Sequence, residues 1–403
     1  MAEAADVVIV GGGIAGLALA VELRRRGLGR VLILEQSYVG SGASGRNVGR
    51  IRAMQLTEDL TRLALACQAK YERMGDELGF NVLFWRAGYL WLLYEAAEAA
   101  RMRSILEMHH RLGVRSELLG PEEVCRLVPH LRPGEPVAGG MIHARDGIIH
   151  HDAAVWAYFE TAGRLGAEVR QGARVTGIDV AGGRVRGVSL GPESIATPRV
   201  VNAAGAWAEA VARLAGLSIP NQPLRREVLV TAPVKPFLHL ALTFYRPTEG
   251  WFNQTLRGEV VAGVVDPDEP PGVNSASSFE FLSRAATLLV RKMPALAHLP
   301  VIRQWAGMYD VTPDHLPLVG ESRRVPGFYQ ANGWSGRGML LAPYCMELLA
   351  DEIITGHRPE LLRPFDPDRF VSRDLSGALE RDYYERYQRQ PSSLPGTGQN
   401  LQE

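Results

Sequence analysis

The sequence predicts an α/β chain of the α+β two-domain kind, in which a parallel-sheet domain carries a second domain built on an antiparallel sheet. Three observations predict it. The first fifty residues alternate short β-branched runs with a glycine-rich turn and an apolar helix. Residues 217–305 hold the runs "REVLVTAP", "LALTFYRPT", "GWFNQTL" and "EVVAGVV", separated by Pro, Gly and Asp, which is the pattern of antiparallel strands. Residues 304–320 and 327–356 then return to strand, glycine turn and helix. At 403 residues the chain is too long for one comfortable core and suggests about two domains.

"DVVIV" (6–10) is short and β-branched, as a strand buried on both faces is. "GGGIAG" (11–16) follows at once and fits G-x-G-x-x-G through Gly11, Gly13 and Gly16, with Ile14 and Ala15 between them. "LALAVELRRRG" (17–27) reads as a helix that is basic in its last turn and stops at Gly27. "RVLILE" (30–35) is the next strand, closed by Glu35. A strand, this turn, a helix and an acid at the end of the second strand are the full context of a Rossmann-type dinucleotide site. Gly11 permits the tight turn, Gly13 lets the backbone approach a pyrophosphate, and Gly16 lets helix and strand pack closely. The helix N-terminus offers N–H groups to the phosphates, and Glu35 can accept from ribose hydroxyls.

The fingerprint does not choose between dinucleotides. After Glu35 and Gln36 comes a long loop, "QSYVGSGASGRNVGRIRAMQ" (36–55), holding three arginines: Arg46, Arg50 and Arg52. This arrangement resembles the D-amino acid oxidase superfamily of flavoproteins, in its sarcosine oxidase and glycine oxidase branch, and is most similar to sarcosine oxidase β-subunit-like members. The resemblance covers roughly residues 5–370. It implies a non-covalent FAD in a Rossmann-type FAD-binding domain, under a substrate domain built on the antiparallel sheet. It also implies that Ser44, Gly45, Arg46, Asn47 and Gly49 lie against the flavin and its phosphates, and that Arg52 holds a substrate carboxylate. A planar guanidinium suits that task, because it donates two parallel hydrogen bonds. Arg50 is given to a solvated loop more readily than Arg52.

Further along, "NVLFWRAGYLWLLY" (81–94) suggests two strands with a turn near Arg86–Gly88, and residues 95–113 a helix. Residues 139–180 are read as a return to the nucleotide domain, with a turn, a helix N-capped by Asp152, and two strands. His150 and His151 lack a third ligand, so no metal is expected. By the resemblance, Val175 meets the adenine side of the cofactor through its backbone. Ala204, Gly205 and Trp207 match an A-G-x-W turn over the flavin. "GWSGRGMLLAP" is a glycine turn opening a helix, and it would aim Gly333, Trp334, Gly336, Arg337, Gly338 and Met339 at the flavin pyrimidine edge. The domains expected are 1–80, 140–216 and 305–370 for FAD, 81–139 and 217–304 for substrate, and a polar tail at 371–403, helical over "RDLSGALERDYYERYQR" and disordered beyond.

There are departures from the relatives. Gly307 stands where monomeric sarcosine oxidases carry the flavin-linked cysteine, Val261 where they carry an oxygen-activating lysine, and Leu340 where a second lysine binds carboxylate. Tyr309 takes the place of a glycine oxidase arginine. Oxidase activity is therefore expected to be slow, with Arg337 as a substitute cation and oxygen or another acceptor taking the electrons.

Lys+Arg and Asp+Glu are both 44, which favours neither nucleic acid nor an anionic membrane. The three cysteines are scattered and suggest no disulfide framework or zinc site. No apolar run approaches the length of a spanning helix and no leader is read, so a cytoplasmic protein is expected. The expected function is FAD-dependent oxidation of a small secondary amino acid, sarcosine first, with Arg52, Tyr245, Tyr309 and Arg337 at the chemistry. Glycine, D-amino acids and proline are the alternatives. The rival classes are an electron-transferring flavin subunit of a hetero-oligomeric dehydrogenase, which leaves the oligomeric state open, and a non-enzymatic NAD-binding regulator.

Overall fold

The computed structural model describes residues 3–131 and 137–371. Along the chain come β1 (Val7–Val10), α1 (Ile14–Arg25), β2 (Val31–Leu34), the short β3 (Arg50–Ile51), α2 (Glu58–Leu78) and β4 (Tyr89–Leu93). After the helix Ala96–Arg111 follow β5 (Glu117–Leu119), β6 (Gly139–His143), β7 (Gly147–Ile148), α3 (His151–Arg164), β8 (Glu168–Arg170) and β9 (Val200–Asn202). The last third supplies β10 (Gln222–Thr231), β11 (Ala241–Phe244), β12 (Gly250–Gln254), β13 (Val260–Val264), α4 (Phe279–Lys292), β14 (Val301–Val311), β15 (Leu318–Glu321), β16 (Phe328–Asn332) and α5 (Gly338–Thr355).

Six strands form the first sheet, in the order β15-β16-β9-β1-β2-β8. All pairs are parallel except β15 with β16. Every residue of β1 and β2 is buried, as their unbroken apolar sequences require of strands covered on both faces. α1 is buried from Ile14 to Leu23 and lies with α2, α3 and α5 in one core. Gly16 is the contact that lets α1 sit so close: a Cβ there would lie 2.1 Å from the Gly11 carbonyl oxygen. Gly11 has φ +118°, and a Cβ on it would meet the Ala203 carbonyl oxygen at 2.4 Å.

Eight strands form the second sheet, in the order β14-β10-β13-β12-β11-β4-β6-β5. Its two faces follow the period-2 alternation. Leu90, Leu242, Phe244, Phe252 and Ala262 point one way and pack on Phe281, Ala285 and Leu288 of α4. That helix is N-capped by Ser278, whose Oγ accepts from the Phe281 N–H at 3.2 Å. Tyr89, Thr243, Tyr245, Trp251, Arg226 and Tyr309 point the other way, into a cavity between the sheets.

Four details differ from the sequence reading. Residues 81–94 form one strand rather than two, because Asn81 Oδ1 takes the Leu83 N–H at 2.8 Å and Leu83 turns left-handed at φ 52°. Only an isolated bridge, Trp85 to Ile148, remains of the first strand. Gly139–His143 pairs with β4 and β5 and so belongs to the second sheet. The N-cap of α3 is His150, with Asp152 inside the first turn, where its charge meets the helix dipole. β14 pairs with β10 from Val301 to Val311, so Gly307 and Tyr309 stand in the second sheet. The helix and disorder read for the C-terminal tail lie outside the described residues. Among those described, no helix is long and apolar enough to cross a membrane.

The close contact of α1 predicts a sharp contrast between two glycines. Gly16→Ala should cost at least about 2 kcal/mol, since backbone must move to admit the methyl group. Gly75, exposed inside α2 with nothing within 4 Å of where a Cβ would stand, should gain about 0.5–1 kcal/mol on replacement by Ala. Urea denaturation of both variants tests this, and equal effects would refute the packing argument.

Candidate active site

A cavity of about 550 Å³ runs between the sheets. One end opens on the N-terminus of α1, where Gly13, Ile14 and Ala15 line the wall. Glu35 lines it too, and its carboxylate also organises the turn. Oε2 accepts from the Gly12 N–H at 2.8 Å, and Oε1 accepts from the Ser37 N–H at 2.8 Å and the Ser41 hydroxyl at 3.3 Å. Gln36, Val175, Ala204, Gly205 and Trp207 complete this end. Gly16 and Gly45 stand behind the wall, as does Gly333, whose N–H donates to Asp310 Oδ2 at 2.8 Å.

The middle of the cavity is the loop 41–49. Ser44 Oγ accepts from the Ile14 N–H at 3.0 Å, so the loop is fastened to the helix N-terminus. Asn47 closes the loop on itself, donating to the Ser44 carbonyl at 2.6 Å and accepting from the Gly49 N–H at 2.7 Å. Arg46 donates to the carbonyls of Ser41 at 3.0 Å and Ala306 at 3.1 Å, and its own carbonyl takes the Trp305 indole N–H at 3.0 Å. It therefore bridges the loop to β14.

At the far end, β3 and the extended residue after it place Arg50 and Arg52 on the cavity wall with Ile51 turned inward. The sequence reading favoured Arg52 alone, yet Arg50 is the more deeply held. Its Nε and Nη2 donate to Asn253 Oδ1, both at 3.3 Å. Nη1 donates to Tyr89 Oη at 3.1 Å and Thr243 Oγ1 at 3.2 Å, and Nη2 also reaches the Leu242 carbonyl at 3.3 Å. The guanidinium lies 4.4 Å from the Trp251 ring centroid, a cation–π distance. Burial pushes its pKa down from the usual value, partly offset by Tyr89. The signal that finds Arg50 is the R-I-R spacing, since residues i and i+2 of a strand share a face.

Arg52 donates to the Met54 carbonyl at 3.0 Å. The backbone just after it is pinned by buried Asp146, whose Oδ1 accepts from the Ala53 N–H at 2.7 Å and from His143 Nδ1 at 2.7 Å. Neither Asp146 nor His143 was singled out from sequence, where they are separated from Arg52 by some ninety positions. Tyr245, Tyr309 and Arg337 all line this end, as do Trp334, Gly336, Gly338 and Met339. Gly336 leaves room for the Tyr309 ring, which a Cβ there would meet at 2.4 Å. Arg337 Nη1 donates to the His315 carbonyl at 2.9 Å. Burial and the Arg337 and Arg226 charges push the His315 pKa down to about 3. Burial pushes Asp310 up to about 6. Of the departures noted above, Gly307, Tyr309 and Leu340 line the cavity and Val261 does not. Arg226 also lines it and was missed from sequence, although alternation along "LRREV" sends Arg225 and Arg226 to opposite faces.

The wall fits an elongated dinucleotide. The glycine cradle is one that a Cβ at Gly11 would fill, the helix N-terminus meets it, and residues of the loop 41–49 line its middle.

The family whose profile matches residues 6–352 is described as DAO, FAD dependent oxidoreductase. The chain is 28% identical over 385 residues to sarcosine oxidase subunit beta of Rhodobacter capsulatus, covering 93% of this chain and 92% of that one. Among solved structures it is similar to L-proline dehydrogenase from P. horikoshii, with a TM-score of 0.86 and 30% identity, covering 92% of this chain and 99% of that chain. Glycine oxidase from Geobacillus kaustophilus shares the fold, with a TM-score of 0.81 at 24% identity over 91% of this chain and 99% of that chain.

Asp310 gives the site a pH signature. Its carboxyl is raised from the ordinary 3.8 to about 6, so between those values the folded state holds a proton that the unfolded state has released. The stability this contributes is complete below pH 3.8 and is lost as pH rises through 6. Asp310→Asn should remove that loss, worth about 2 kcal/mol between pH 4 and pH 7. Denaturant titrations of the cofactor-free protein at the two pH values check it; parallel wild-type and variant profiles would refute it.

Proposed function

This chain belongs to the DAO family of FAD-dependent oxidoreductases, and from that premise we propose that it oxidises the C–N bond of a small secondary amino acid, with sarcosine the leading substrate. The observation that carries the reading is the cationic end of the cavity, where Arg50 of β3 and Arg52 just beyond it line the wall together, which gives a cavity suited to FAD a carboxylate-binding end. The relative named a sarcosine oxidase subunit supports sarcosine, whose oxidation and hydrolysis yield glycine and formaldehyde. FAD, when bound, supplies the two-electron acceptor.

The chain's own residues do the rest. Arg52 takes the substrate carboxylate through its guanidinium fork and fixes the orientation of the carbon to be oxidised. Asp146 and His143 hold Arg52 in place through the Ala53 N–H, and such positioning supplies much of the rate. The nitrogen must be neutral to release its electrons. Arg50, Arg226 and Arg337 line the same end and disfavour a second cation there, so the amine sheds its proton without a dedicated base. Tyr245 and Tyr309 stand on the roof to orient the amine and narrow the pocket. FAD is held without a covalent link, since Gly307 offers no nucleophile. Among the described residues the cavity wall holds arginines and no lysine, which suits slow reaction with oxygen and transfer to another acceptor.

The likeness to L-proline dehydrogenase favours a second reading, in which L-proline is the substrate. The relative named as a subunit supports a third, in which this chain works inside a hetero-oligomer.

Anaerobic addition of sarcosine to the purified holoprotein should bleach the flavin band near about 450 nm. Arg52→Met should raise the half-saturating concentration by about 10- to 100-fold, the loss of one charged hydrogen-bonded pair. A band that persists with sarcosine and bleaches with L-proline would replace the first reading by the second.

A further inference from the structure

Arg226 is a cation of this site whose hydrogen-bonding capacity the proposed chemistry leaves unused. It stands on the cavity face of β10, opposite Gly307 of β14. Its guanidinium makes one hydrogen bond, from Nη1 to the Arg225 carbonyl at 2.9 Å. Its Nε is buried and has no partner. The acids nearest in sequence lie on the other face of the strand, where Arg225 takes Glu269 at 2.8 and 2.9 Å. Glu227 accepts there from Ser278 and Gln304. Arg226 faces the Tyr309 ring, 5.4 Å from its centroid, and His315, which its charge helps to keep neutral. Of the acids lining this part of the cavity, Asp310 accepts from the glycine turn, and Glu249 pairs with neither Arg226 nor Arg50.

Arg50 and Arg226 are therefore spent differently. Arg50 has all five N–H donors on neutral acceptors and contributes charge rather than hydrogen bonds. Arg226 has one of five engaged, and with Nε buried, three donors on its terminal nitrogens remain for a ligand. A monocarboxylic amino acid is served by Arg52 and would leave the terminal nitrogens of Arg226 to water, without an anion to match their charge. A second anionic group on the substrate would supply one.

We infer that the substrate is a dicarboxylic amino acid, its α-carboxylate held by Arg52 and its second carboxylate by the guanidinium of Arg226. The inference rests on the amino-acid reading above, keeping the oxidation of a C–N bond and the role of Arg52 but putting a dicarboxylic amino acid ahead of sarcosine. The second carboxylate sits on the side chain or on the nitrogen substituent; either places the same anion in the same fork.

The test uses the holoprotein and unreactive ligands, read by perturbation of the flavin spectrum. Acetate is the monocarboxylate probe; malonate, succinate and glutarate are the dicarboxylates. One dicarboxylate should bind at least about tenfold more tightly than acetate, and Arg226→Gln should bring the two within about twofold. Arg226→Lys, which keeps the charge and loses the fork, should fall between them. The corresponding anaerobic titrations compare sarcosine with N-methyl-L-aspartate and iminodiacetate, which separate the two placements of the second carboxylate. Equal affinity for acetate and every dicarboxylate in the wild type overturns the inference. So does an Arg226→Gln variant that weakens acetate as much as the dicarboxylates, or one that shifts the flavin band without changing selectivity. In those cases bleaching by sarcosine leaves the amino-acid reading standing. If no carboxylate perturbs the flavin and no amino acid of either class bleaches it, both fall together.

Discussion

The arrangement of the whole cavity depends on how residues 41–54 are strapped between the two sheets. Four anchors do this, and each acts on a different partner. Ser44 caps the N-terminus of α1, Arg46 reaches β14, Arg50 spends its five donors on β4, β11 and β12, and Asp146 holds the backbone after Arg52. Arg50 is the costliest of these, a buried guanidinium with neutral partners, and such a group is kept only where hydrogen bonds satisfy it fully. Its donors are satisfied, its face rests on Trp251, and Gly263 makes room for that ring, since a Cβ there would lie 2.4 Å from it. Removing the guanidinium would unfasten the strap from the second sheet and leave the acceptors on three strands without donors.

The two ends of the cavity are built by different means. At the nucleotide end the work is done by backbone: glycines that permit close approach, amides at a helix start, and a carboxylate that fixes the turn. Nothing there depends on which molecule is oxidised. At the other end the wall is made of side chains projecting from alternate positions of strands, and each can be exchanged without disturbing the sheet. Arg226 is an example, since its neighbour Arg225 turns to the other face and pairs with Glu269.

The nucleotide half was legible because its signals are local. G-x-G-x-x-G, the flanking β-branched strands and Glu35 lie within thirty residues, and each constrains the same turn. The eight-stranded sheet was legible as a pattern, but its membership was not. β6 reads like a glycine-rich loop, and β14 straddles a composition boundary; only long-range pairing with β4 and β10 assigns them. The site residues divide the same way. Arg52 was found by likeness, while Arg50 and Arg226 needed the strand alternation to be applied to charged residues as well as apolar ones. Asp146 and His143 carried no signal, because their role exists only once β7 has paired with β3.

The charge pattern at the far end also bears on how the chemistry responds to pH. A cationic wall made of lysine or histidine would change its charge within the working range and carry the substrate amine's protonation with it. Here the cations are arginines, which stay charged at any pH a protein meets. The histidine among them is held near 3 and the buried carboxylate near 6, so both have finished titrating by neutral pH. Above neutrality the field on the bound nitrogen from these groups is constant. A pH dependence of substrate affinity there belongs to the amine itself, and the difference between secondary and primary amines in their intrinsic basicity passes directly into the observed profile. The same constancy makes dicarboxylate selectivity, if it is set by Arg226, independent of pH from 7 upward, whereas a selectivity set by a titrating partner would fade as that partner lost its charge.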